Sequence, residues 1–505
     1  MYVDTHDFLI NGGVRMWLKK MSAIALTLML SIGLAACSSG GSGAAGGNAG
    51  TGDPGTAQSE GGGANTPETS GGTTITVLNE GAVGIGVGVL NDLLEKKKQS
   101  LIKDETQNPR ITEEDFSYTP GQPLKKAGVF PYYYQSIIID NLKSKNITVK
   151  TEDWGWGEPL IQKQTAGFLA KNMPDIIVGE TQMPGFAQQG LLEPFPEEMA
   201  KEIREKTAPA AWKPMEYDGK IYGFASQPGV SSLFWNKKLV QEAGLDPDQA
   251  PVTWEEFAAN VQKVTEAGGG KFYGGGVYAG PNAGGYLRYG TLLVINGGGF
   301  ADDQGQPVFN SDANVETVQF LKQLNAGHPA GLMVNTNEGT YFDAFKKGQI
   351  AYLIDGPWRA IESAQIGIDY GMAQIPLSPD GQPGNITIGA AFHAVPKDAK
   401  NKEAAFEYIR AMYSEEIQQL IADTGVRSPV LKSIAESEGY KSAHPEMYQH
   451  YLAMSGNVQG LPTFAKEDSK VWQMFGDAVT KSLMTNGDIK TILDEAQKKA
   501  EAVTK

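Results

Sequence analysis

The sequence predicts an exported α/β protein whose body divides into two domains. Three observations carry this. Strand and helix patterns alternate after residue 73. More than 400 residues lie between Thr73 and Lys505, too many for one compact core. An N-terminal apolar run ends in the chain's single cysteine, Cys37.

Lys19 and Lys20 flank an apolar stretch from 22 to 36 that is too short to span a bilayer comfortably, so residues 1–36 read as a secretory signal. Met16 alone would open such a signal. The ending Leu34-Ala35-Ala36-Cys37 resembles the lipobox of bacterial lipoproteins, which implies that Cys37 is acylated and becomes the mature N-terminus. A lone free thiol suits an oxidising compartment poorly, whereas a lipidated one is quenched. Residues 37–72, rich in Gly, Ser, Thr and Asn, bury no core and read as a flexible tether with a reach on the order of 30 Å. No second apolar stretch of spanning length follows.

The formal charge is −15; residues 1–36 hold three basic and two acidic side chains, leaving −16 for the mature chain. Nucleic-acid binding needs clustered Lys and Arg, so an acidic body argues against it, and the charge serves solubility.

The elements follow in order. Residues 74–78 read as a strand, 132–145 as a helix, 147–150 as a strand, 160–170 as a helix and 175–178 as a buried strand. Helices are expected at 236–243, 254–267 and 315–325, a strand at 349–354, and amphipathic helices at 403–412 and 414–422. Thr253 and Ser414 are plausible N-caps, and Glu256 completes a capping box with Thr253.

Several segments then fall in a recognisable sequence: Pro174-Asp175-Ile176-Ile177-Val178, Gly185-Phe186-Ala187-Gln188-Gln189-Gly190-Leu191, Asp218-Gly219-Lys220-Ile221-Tyr222-Gly223, Leu233-Phe234-Trp235-Asn236, Thr253-Trp254-Glu255-Glu256-Phe257, and Phe345-Lys346-Lys347-Gly348 running into Gly356-Pro357-Trp358. Their order over residues 130–505 resembles the extracellular solute-binding proteins of ABC importers, in particular the maltose-binding-protein-like group. That resemblance implies a two-lobed, periplasmic-binding-protein-like (type II) α/β fold with a hinge and an interlobe cleft. It places the first lobe at 73–228 and 392–428, and the second at 229–391 and 429–505. The cleft lies at the C-terminal ends of the strands, and ligand binding shifts the population toward closure.

One departure is an insert at 81–130, where the family passes directly from strand to helix. Its Gly-rich start looks like a dinucleotide loop, but Val89 stands where the fingerprint needs glycine. Residues 90–103 read as an added amphipathic helix.

A sugar has apolar ring faces and a hydroxyl rim, so its site pairs aromatic platforms with hydrogen-bonding side chains. By resemblance, Trp358 matches a position whose ring stacks on sugar and Trp472 falls on a matching late helix. Tyr286, Arg288 and Tyr289 lie in a segment that supplies cleft residues, and Trp235 matches an aromatic beside the hinge. Glu180 and Gln182 follow one expected strand, and Asn79 and Glu80 end another, where polar groups can take hydroxyls. Trp254, Trp154 and Trp156 read as packing residues.

Signals of catalysis are missing: the five histidines have no HExxH spacing, and no GxSxG elbow or phosphate-binding loop is present. No enzyme, metal or cofactor is expected. The expected function is an oligosaccharide-binding lipoprotein, a monomer held to the cell membrane on its extracytoplasmic side, that delivers sugar to an ABC permease. The alternatives are another small solute (a polyol-phosphate, an amino-acid derivative or a peptide) or a sugar sensor without a permease. Arg288 and Arg359 are the cationic candidates for a phosphate-bearing ligand.

Overall fold

The computed structural model describes residues 72–79, 87–104, 110–302, 304–464 and 468–504. Cys37, the signal and nearly all of the tether, and with them the lipidation expectation, lie outside these residues, as does Glu80.

The first sheet is built on Thr73–Leu78, which pairs in parallel with Ile147–Glu152. Val77 bridges in parallel to Ile176, and the adjoining strand Ile177–Gly179 pairs antiparallel with Phe392–Ala394. Asp175 turns out of that strand to tie its neighbours: its carboxylate accepts from Thr76 N at 2.9 Å and from Asn401 N at 3.0 Å. The helix Phe130–Lys143, with Pro131 in its first turn, buries Phe130, Tyr134, Ile138 and Leu142 at four-residue spacing. With Ile75, Val149, Ile409 and Leu420 these form the first core.

The insert belongs to this part of the molecule. Its short strand Gly88–Val89 covers the open edge of Ile147–Glu152, where an unpaired edge would be a pairing liability. The helix Leu90–Lys103 has the bounds expected for it. Further along, Tyr118 Oη and Gly121 N both donate to Asp423 Oδ2, at 2.7 and 2.8 Å.

The second sheet has the strand order Tyr370–Ala373, Ser232–Asn236, Ile350–Asp355, Tyr273–Val277. Strand alternation sends Leu233 and Trp235 to one core and Phe234 to the other face. Helices Trp254–Gly268, Ala283–Ile295, Asp312–Asn325, Asp468–Met484 and Ile489–Thr504 pack on the first of these faces. The Thr253–Glu256 capping box and the Ser414 cap both form. Asn236 is a cap rather than the first helical residue, its side chain accepting from Leu239 N.

Between the two sheets the chain runs through a third, in which Gly229–Val230 pairs antiparallel with Gly384–Ile388, itself parallel to Asn457–Gln459. Buried Asn385 pins this junction, donating to Ser231 O at 2.9 Å and accepting from Ser231 N and Thr291 Oγ1, each at 3.0 Å. The stretch after 429, expected as part of the second lobe, packs with more than one core. Val430, Ala435, Tyr451, Met454 and Val458 pack in the first core, whereas Tyr440 and Met447 pack against the second sheet. Apolar faces of this short-helix stretch are shared by both cores, which residue order alone cannot show. Among the described residues no helix is long and apolar enough to cross a membrane.

Candidate functional site

The site grows from one glycine at the junction. Gly389 follows the strand Gly384–Ile388 with φ of +61°, a left-handed conformation that a side chain would strain. Two groups meet on it. Its N–H donates to Glu180 Oε1. Its bare Cα faces the Trp358 indole, so that an added Cβ would lie 2.7 Å from Cζ3.

Trp358 stands where the second sheet ends. The strand Ile350–Asp355 is followed by Gly356-Pro357 and then the helix Trp358–Gln365. Gly356 supports the ring from a second side, since a Cβ there would come within 2.2 Å of Cη2. Pro357 packs on Gly229 of the adjoining strand. The indole is half-buried, seated between two glycines and packed against the second core. A rigid aromatic surface with a remaining open part is what a sugar ring face needs.

Glu180 follows Ile177–Gly179 of the first sheet. Burial raises its carboxyl above the ordinary value; the N–H groups of Gly389 and Ala390 and the Arg288 charge offset part of this, and Glu338 adds to the rise. Arg288 and Glu338 belong to helices of the second part, Ala283–Ile295 and Glu338–Lys346. Gln182 is turned inward: its Oε1 accepts from Glu180 N at 3.2 Å and its Nε2 donates to Gln164 Oε1 at 3.0 Å. It holds the loop that presents Glu180.

Arg288 is the centre of a buried charge network. Its Nε donates to Asp355 Oδ1 at 2.9 Å and its Nη1 to Gly284 O at 2.7 Å, with Glu338 at 3.4 Å. Arg359 binds the second oxygen of Asp355 and also Glu362. Both guanidiniums lie over the Phe342 ring, 4.5 and 4.1 Å from its centre.

The other expected contacts are placed differently. Tyr286 and Tyr289 sit on the helix Ala283–Ile295, buried on all sides from Gly285 onward. Tyr286 stacks on Trp472 with centroids 4.8 Å apart and donates its hydroxyl to Trp472 O at 3.0 Å. Tyr289 packs against Phe300 and Phe475 and is 1 % exposed. These two tyrosines are core, their rings packed against Trp472, Phe300 and Phe475, whereas Arg288 on the same helix is turned to the Asp355 network. Trp472 is half-buried and its ring closes the same aromatic cluster. Trp235 is also core: it lies inside a central strand, donates Nε1–H to Pro247 O at 2.8 Å and covers Gly371. Asn79 ends the strand Thr73–Leu78, its N–H donating to Glu152 O at 2.8 Å.

The residues that sequence reasoning missed are Glu338, Asp355, Glu362 and Gly389. Asp355 carried a signal, since it directly follows the strand expected at 349–354; the strand before Gly389 shows only in the structure, and Glu338 and Glu362 carried no signal.

The sequence profile of the bacterial extracellular solute-binding proteins matches residues 127–419, more than half of the chain. A protein of Brucella abortus (strain 2308) named as a binding protein is 23 % identical over 385 residues, 74 % of this chain and 90 % of that protein. A maltooligosaccharide ABC transporter solute-binding lipoprotein of Streptococcus pneumoniae is 23 % identical over 285 residues, 55 % of this chain and 64 % of the relative. Among solved structures, the cyclic alpha-maltosyl-1,6-maltose binding protein from Arthrobacter globiformis superposes with a TM-score of 0.62 at 22 % identity, covering 75 % of this chain and 97 % of the other. Its likeness establishes the two-lobed α/β fold.

Proposed function

The chain belongs to the bacterial extracellular solute-binding protein family, and from that premise we propose that it captures an oligosaccharide between its two lobes and hands it to the permease of an ABC importer. One observation carries the reading: an aromatic platform and a carboxylate acceptor, Trp358 and Glu180, reach the same junction glycine from different sheets. Closing the cleft would bring ring face and hydroxyl acceptor to one sugar, so binding energy favours the closed form. The pneumococcal and Arthrobacter relatives, by their names, take maltooligosaccharides and a cyclic maltosyl saccharide. In this proposal the first sheet and its insert make one lobe, the second sheet the other. Cys37 carries the lipid, in keeping with the pneumococcal relative's name, and the tether lets the body reach its permease.

The test is a thermal-shift screen of the full chain against oligosaccharides, with amino acids, peptides and phosphorylated polyols alongside. A ligand at 100 times its Kd stabilises by about 2.7 kcal/mol, a visible rise in melting temperature. An oligosaccharide is expected to give that rise, and Trp358→Ala to weaken its binding by about 1–3 kcal/mol. A rise with amino acids, peptides or polyol phosphates alone would overturn the carbohydrate assignment.

A further inference from the structure

The wall beside Trp358 carries two cations, Arg288 and Arg359, and four carboxylates, Asp355, Glu362, Glu338 and Glu180, a net charge of two negative. What decides its behaviour is which of these charges a ligand can use. Arg288 and Arg359 are buried, 4 % and 6 % exposed. Arg288 is committed to Asp355, Gly284 O and Glu338, and Arg359 to Asp355 and Glu362. Asp355 is fully buried. Drawing either arginine toward a ligand anion would leave that carboxylate buried with one cation instead of two, which is strongly disfavoured.

The carboxylates are differently placed. Glu338 is 48 % exposed on its side chain, and its contact to Arg288 is long, 3.4 Å. Glu180 hangs on the N–H of Gly389 at the junction, on the glycine that seats the Trp358 ring. A carboxylate accepts hydrogen bonds from hydroxyl and ammonium groups and repels another carboxylate or a phosphate.

We infer that this site sorts saccharides by charge: it takes neutral and amino-bearing sugars and rejects those carrying uronate or phosphate, with Glu180 and Glu338 as the discriminating pair. The inference rests on the saccharide reading above. It removes the role first considered for Arg288 and Arg359 as phosphate ligands, because the geometry spends both on Asp355.

The experiment is calorimetric titration of the full chain at fixed salt with maltotriose, mannotriose and galactotriose, with the trimer of glucosamine, and with trigalacturonate and maltose 6′-phosphate. The tightest neutral or cationic probe is expected to bind at least tenfold better than either anion. Glu338→Gln and Glu180→Gln, which keep the side-chain size, should each narrow that gap at least threefold and weaken the glucosamine trimer. Should Glu180→Gln fail to fold, the exposed Glu338→Gln decides alone. An anion bound as tightly as the neutral sugars, or a gap unmoved by the substitutions, overturns the charge inference while leaving sugar binding intact. Binding of no saccharide at all removes the carbohydrate reading and this inference with it.

Discussion

Replacing Gly389 with alanine perturbs backbone, platform and acceptor loop at one atom. The native φ of +61° costs a non-glycine residue about 1 kcal/mol. The new methyl would also meet three carbons of the Trp358 ring, Cζ3 at 2.7 Å, Cη2 at 3.3 Å and Cε3 at 3.6 Å. The ring cannot retreat onto Gly356, whose backbone it already touches, so it must swing out of its seat. Overpacking of this kind costs about 1–3 kcal/mol, giving a total loss of stability of about 2–4 kcal/mol. Urea unfolding should show a lower midpoint with an unchanged slope. Calorimetry with the oligosaccharide that raises the melting temperature should show at least tenfold weaker binding, because the platform has moved. The double variant Gly389→Ala/Trp358→Ala separates the parts. With the indole gone the clash vanishes, so the two stability losses should be non-additive by about 1–3 kcal/mol. Additive losses, or a single variant that binds sugar as the native chain does, would refute the packing of Trp358 on this glycine.

Other expectations follow from single contacts. Asn385→Ala strips Ser231 of both backbone partners and should cost about 2–4 kcal/mol in urea unfolding; a loss under about 0.5 kcal/mol would mean the junction is not pinned there. Ser231→Ala, by contrast, removes a buried hydroxyl that makes no hydrogen bond and should leave stability unchanged or slightly raised. Burial lowers the ionisation of His328 and His393 to about 4 and of His450 to about 3, so the unfolded chain takes up three protons near pH 6.5 that the folded one refuses. Stability from this source is complete above pH 6.5 and falls toward pH 4 by up to about 1.4 kcal/mol per unit for each imidazole; urea midpoints that stay flat from pH 7 to 5 would contradict it. Tyr118→Phe removes one of the insert's hydrogen bonds to Asp423, leaving those from Gly121 N and Leu124 N, and should loosen residues 110–126 by about 1 kcal/mol in hydrogen exchange, with global melting little changed.

The local plan of the fold was legible because its signals are local. The Thr253–Glu256 box, the Ser414 cap and the four-residue spacing from Phe130 to Leu142 each lie within one turn or a few. The site was less legible because its contacts are not: Glu180 meets Gly389 across 209 positions and Arg288 meets Asp355 across 67. Family position drew Trp235, Tyr286 and Tyr289 toward the cleft, and all three are core. Residue type could not separate Trp235 from Trp358, yet their place on the strands does. Trp235 lies within Ser232–Asn236, where both faces of the sheet are covered, while Trp358 comes just after Ile350–Asp355 has ended. Glu180 stands in the same relation to Ile177–Gly179. In an open α/β sheet only residues beyond the carboxyl end of a strand escape the layers packed on it. Applied to the strands expected from sequence at 175–178 and 349–354, that criterion keeps Glu180 and Trp358; discarding Trp235 and adding Gly389 needs the strands Ser232–Asn236 and Gly384–Ile388, which only the structure shows.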